Sequence, residues 1–176
     1  MKNKFIKFFA LIFAIIISIS CGNEITPPPN DNGLNHKNIS WLKNRWENPT
    51  YSGEIYEYDG TIFTSFMGTT DAVTYAVKIE KIKWTSDTAG IMYGQYTAHY
   101  EDDKVGKYYA VSFKDLTESS ISISGAWNRD TGIYAADTLK EAENIFTVAN
   151  GSFMQYSDCN QITAYAIILL KLLEVV

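Results

Sequence analysis

Between residues 54 and 127, apolar side chains recur at every second position, and the runs break at Gly-, Asp- or Ser-bearing turns about every eight to twelve residues. Such spacing sends alternate side chains to opposite faces of a strand, so the chain has to build a sheet with one dry side. The clearest piece is Glu54-Ile55-Tyr56-Glu57-Tyr58, then Asp59-Gly60, then Thr61-Ile62-Phe63-Thr64. A two-residue Asp-Gly link predicts a type I′ hairpin, whose two central residues both take positive φ. Val73, Tyr75, Val77 and Ile79 share a face, while Ile82 and Trp84 continue in the opposite phase. One extra residue near Glu80 or Lys81, a β-bulge, returns the apolar positions to the core. Turns at Thr85 to Gly90 and Glu101 to Gly106 separate further strands at Ile91 to Tyr100, Lys107 to Phe113 and Ser120 to Trp127.

The period then changes. Thr138-Leu139-Lys140-Glu141 fits a capping box at the start of a short helix, with Leu139, Ala142 and Phe146 along one face. Phe146 to Ala149, Asn150-Gly151 and Ser152 to Tyr156 predict a second hairpin. The end of the chain, residues 161–176, is an apolar segment read as a packed helix or a closing strand. Parallel crossovers need about a dozen residues each, and the links here are too short for them. The expected fold is therefore mainly β: an antiparallel meander closing into a small barrel of eight to nine strands with one short late helix. A β-sandwich is the alternative.

The first twenty residues read as an address. Lys2, Lys4 and Lys7 precede an uncharged run from Phe8 to Ile19, the basic and apolar regions of a secretory signal. Twelve positions rising 1.5 Å each cover roughly 18 Å, short of a hydrocarbon core of about 30 Å. Ser18-Ile19-Ser20-Cys21-Gly22 follows and resembles a bacterial lipobox, in the looser form of spirochaete-type lipoproteins, with Ser18 where an aliphatic residue is usual. The resemblance implies that residues 1–20 are a lipoprotein signal peptide and that Cys21 becomes the acylated first residue of the mature chain. It further implies a bacterial cell-envelope location, an extracytoplasmic domain and a membrane, inner or outer, as the first partner. Two or more acyl chains hold a protein firmly on a bilayer.

Cys21 and the stretch to residue 39, with Pro27-Pro28-Pro29 followed by Asn, Asp and Gly, read as a partly stiff tether. The barrel is expected over 40–160. Removing the leader takes away three lysines and no acid, leaving twelve basic against twenty acidic side chains, a net charge of −8. An acidic domain of that kind is repelled by anionic headgroups, and it excludes a nucleic-acid backbone as the main partner.

Trp41 or Trp46 just before the first strand, the strand meander and the late helix together resemble a small lipocalin-like, calycin-type barrel over roughly residues 40 to 160. The Gly-x-Trp start of that family is absent, so the resemblance carries over architecture and no binding residue.

Catalytic signatures are missing: the sequence holds no Gly-x-Ser-x-Gly, His-Glu-x-x-His, P-loop or dinucleotide fingerprint. Cys21, Cys159, His36 and His99 have no metal-ligand spacing, so neither a metal nor a cofactor is expected. His99, near Glu101, Asp102 and Asp103, reads as a solvent-facing strand residue, and Cys159 as a buried thiol. The twelve tyrosines carry the most information, because alternation divides them between faces and a phenol supplies both contact area and a hydrogen bond. Tyr56, Tyr75, Tyr93 and Tyr108 are the candidate ligand-binding residues. The expectation is a lipid-anchored binding module, not an enzyme, taking a small apolar or aromatic molecule in the barrel or a protein partner on its surface. The alternative is a structural envelope lipoprotein without a ligand.

Overall fold

The computed structural model describes residues 32–68, 72–128 and 131–162. The leader, Cys21, the first part of the tether and residues 163–176 of the apolar end lie outside the described residues. A one-turn helix α1 (Ile39–Leu42) leads into β1 (Arg45–Glu47), β2 (Ile55–Tyr58), β3 (Ile62–Met67), β4 (Ala72–Ser86) and β5 (Ala89–His99). After a 3₁₀ turn at Asp102–Lys104 come β6 (Tyr108–Lys114), β7 (Ser120–Gly125), helix α2 (Leu139–Ile145) and β8 (Ser157–Gln161). All neighbours pair antiparallel in sequence order, and β8 returns to β1 at Trp46↔Gln161 and Glu47↔Asn160. The sheet closes into an eight-stranded barrel, so it does not split into a sandwich. Closure pairs both sides of every strand over at least part of its length.

The phase slip in β4 is a bulge. Register shifts between Ile79 and Lys81 against β5, leaving Glu80 as the extra residue, and Val77, Ile79 and Ile82 are all buried. Val73, at the start of the same strand, is 51% exposed: a second register shift, against β3 between Ser65 and Phe66, leaves Thr74 as the extra residue and puts Val73 out of phase with Tyr75.

Two turns differ from expectation. Asp59 keeps a negative φ and only Gly60 is positive, at 102°. Asp59 Oδ1 instead accepts the backbone N–H groups of Thr61 and Ile62, at 2.7 Å each, so the aspartate builds the turn with its side chain and the reversal centres one residue later. The Asn150-Gly151 pair makes no hairpin. Asn150 Nδ2 donates to the carbonyls of Asn144 and Ile145, and Ser152 Oγ donates to that of Ile145. Those carbonyls end α2 and lack helical partners, and satisfying them outweighs the local preference for a hairpin. The closing strand is Ser157–Gln161, a polar segment that carried no strand signal.

At the other end of α2, Thr138 Oγ1 accepts the N–H of Glu141 as the capping box requires, while the Glu141 carboxylate reaches the N–H of Asp137. Substituting Asn150→Asp replaces two donated hydrogen bonds with a carboxylate facing carbonyl oxygens, and it is expected to lower stability by about 1–2 kcal/mol. A urea midpoint unchanged from wild type removes Asn150 from this role.

The two ends of the barrel are unlike. Reversals β2–β3, β4–β5 and β6–β7, none longer than five residues, occupy one end, and the β1–β2, β3–β4, β5–β6 and β7–β8 connections, all but β3–β4 longer than that, occupy the other. The tight-turn end is also where the incoming chain packs, starting inside the stretch read as tether. Asn32 accepts the Ile82 N–H at 2.7 Å, Gly33 accepts the Trp84 indole N–H at 2.9 Å, and His36 stacks on Trp84 with ring centroids 3.8 Å apart. Lys37 pairs with Asp87 in the β4–β5 turn at 2.5 Å.

Candidate functional site

Aromatic rings pack against one another inside the barrel. Phe63 on β3, Tyr75 on β4, Tyr96 on β5 and Tyr109 on β6 share the inner face, with centroid separations of 6.3 Å for Phe63–Tyr75, 5.4 Å for Tyr75–Tyr109 and 4.7 Å for Tyr96–Tyr109. Gly125 on β7 leaves room for this packing, because a side chain there would meet the Tyr109 hydroxyl at 2.3 Å. Burial, then the neighbouring phenols, hold the hydroxyls of Tyr75 and Tyr96 far above the usual phenol range, so both stay neutral. These packed rings occupy part of the barrel interior.

Space opens at the loop end. An open cleft of about 570 Å³ lies between the β1–β2 loop and the facing ends of β7 and β8. It exists because the closing ladder is short: β1 stops at Glu47, while β8 continues to Ser157 paired with β7 alone. Glu54 spans that gap. Its carboxylate accepts the Tyr56 hydroxyl at 2.6 Å, Ser157 Oγ at 3.0 Å and the Asn48 side-chain amide. Among the described residues no Lys, Arg or His pairs with it. Burial first, and then Tyr75 and Glu54, push the Tyr56 hydroxyl far above the phenol range, so it remains a donor to the carboxylate. Tyr51 and Met67, 64% and 52% exposed, form the apolar rim. A second cleft of about 520 Å³ shares Ser124, Gly125 and Gln155 with the first and is flanked by exposed Trp127 and Met154.

Of the four tyrosines singled out in the sequence, Tyr56 lines the cleft and Tyr75 lies beneath it in the ring stack. Tyr93 and Tyr108 belong to the other face. The Tyr93 hydroxyl donates to the Phe146 carbonyl at 2.9 Å beneath the end of α2, and burial followed by the nearby Glu143 raises it to about 12. Tyr108 exchanges backbone hydrogen bonds with Ala136. Glu54 was missed, although it shares the inward phase of Tyr56 and Tyr58, and a carboxylate on an apolar face is the signal that marks it.

His99 is half-buried rather than solvent-facing. It lies among Tyr96, Tyr100 and Tyr134, and its Nδ1 accepts the Glu101 N–H at 3.0 Å. Cys159 is buried, its thiol donates to the Ser157 carbonyl, and desolvation raises it to about 12. Among the described residues no group of three or more His, Cys, Asp or Glu is placed to hold a metal ion, and no helix is long and apolar enough to cross a membrane. No protein-family model, curated protein or solved structure matches the chain.

Proposed function

We propose that this protein is a lipid-anchored binding module of a bacterial cell envelope, held through Cys21, whose extracytoplasmic barrel takes a small ligand at its open loop end. The observation that carries the reading is the cleft over Glu54 and Tyr56. It falls within the usual ~300–1,000 Å³ of small-molecule sites, and it sets a charged acceptor beside apolar and aromatic walls. The rings packed inside the barrel favour the rival reading, a ligand-free envelope spacer, and the ligand test separates the two.

Two measurements decide. Cys21→Ser is expected to move the protein from the detergent phase to the aqueous phase, and unchanged partitioning rejects the anchor. Screening a chemically mixed fragment library by two-dimensional amide spectra is expected to give shifts confined to Tyr51, Ser124 and Gln155. A folded protein whose cleft resonances respond to no fragment supports the spacer reading instead.

A further inference from the structure

The three protein partners of the Glu54 carboxylate are all neutral donors: a phenol, a hydroxyl and an amide. Oε1 takes two of them and Oε2 takes one, so a lone-pair position on Oε2 stays open. Among the described residues the remaining wall of the cleft adds no positive charge, being made of Thr, Tyr, Ser, Met, Ile, Gly and Gln. A half-buried carboxylate in such a wall attracts a cation and repels an anion, with less solvent screening than on an open surface. The phenol face of Tyr56 and the exposed ring of Tyr51 favour the same kind of partner, because ring quadrupoles attract ammonium groups and ring faces stack on apolar bodies.

The geometry points to a specific ligand class. We infer that the cleft over Glu54 binds a small protonated amine joined to an aromatic or apolar body, the ammonium meeting the Glu54 carboxylate and the body lying against Tyr51, Tyr56 and Met67. This rests on the loop end being the ligand site, as proposed above. Ser124 and Gln155 supply neutral polar groups at the far side of the cleft, where a hydroxyl or amide on the ligand body would be accommodated.

The test uses the purified full chain and three matched probes: phenethylamine, its neutral analogue phenethyl alcohol, and its anionic analogue hydrocinnamate. Calorimetry and amide spectra are expected to show the amine binding about tenfold or more tighter than the alcohol, as a charge-assisted hydrogen bond requires. Hydrocinnamate is expected not to bind. Glu54→Gln keeps a side-chain oxygen for Tyr56 and Ser157, and it is expected to reduce amine affinity about tenfold while leaving the weak binding of the alcohol unchanged. Equal affinity for amine and alcohol on the wild-type chain overturns the amine class and leaves the cleft as a site. Silence from all three probes also overturns it, and the fragment screen then decides on the cleft itself. The wild-type comparison stands even where Glu54→Gln fails to fold.

Discussion

Replacing Gly94 with alanine is expected to lower stability by about 3–5 kcal/mol and the melting temperature by roughly 10 °C, a loss out of proportion to one methyl group. Gly94 sits in the middle of β5, opposite Ile79 and one step from the Glu80 bulge. A Cβ at this position would lie 2.0 Å from the Lys78 carbonyl oxygen, 2.7 Å from its carbon and 2.9 Å from the Ile79 Cα. All three are backbone atoms, so no rotamer change relieves the overlap, and the longest strand pair in the barrel has to separate at its bulge. Gly106 provides the control. Its φ of 88° strains an alanine, but a Cβ there meets nothing within 4 Å, so Gly106→Ala is expected to cost only about 1–2 kcal/mol. Chemical denaturation of the two variants beside wild type tests the comparison. Equal losses would show that the bulge yields to the added methyl.

The Glu80 bulge was legible in the sequence and its glycine partner was not, for a physical reason. A phase slip between Ile79 and Ile82 is a local pattern that the chain records along its own length. That Gly94 faces the slip depends on register between two strands, which is a tertiary property. The same division runs through the rest of the molecule. Alternation exposed the meander, the barrel and the shared phase of Tyr75, Val77 and Ile79, because each follows from short-range periodicity. Asn150-Gly151 misled because its amide found the end of α2, and the closing strand Ser157–Gln161 gave no signal because its partners, β1 and β7, supply the ladder.

At the site, Tyr56 was reachable as an aromatic on an alternating strand. Tyr93 and Tyr108 carry the same local signature and point elsewhere, since their faces are covered by α2 and by the Ala136 segment. Composition counts tyrosines, but only the closed sheet sorts them into stack, cleft and cover. Glu54 acquires its role because the β1–β8 ladder is short, which no single strand reveals.

Alkaline pH is expected to unfold the barrel in one cooperative step. Burial raises Tyr58, Tyr93 and Cys159 to about 12 and drives the stacked phenols of Tyr75 and Tyr96 higher still. In the unfolded chain the thiol and phenols lose their protons near their ordinary values of 9.0 and 10.0. Between those values and about 12 the unfolded chain therefore holds fewer protons than the folded one. Stability falls as pH rises through that window, whereas below about pH 9 the contribution of these groups is fully present. Each group that keeps its proton only when folded steepens the fall by about 1.4 kcal/mol per pH unit, so a few of them exhaust a domain of ordinary stability within the window. The denaturation midpoint is thus expected to be flat with respect to these groups up to about pH 9 and to drop steeply above it. Phenolate absorbance from the buried rings should appear together with the loss of far-ultraviolet signal. Ionisation of those rings well before the loss of structure would mean that the ring stack is open to water.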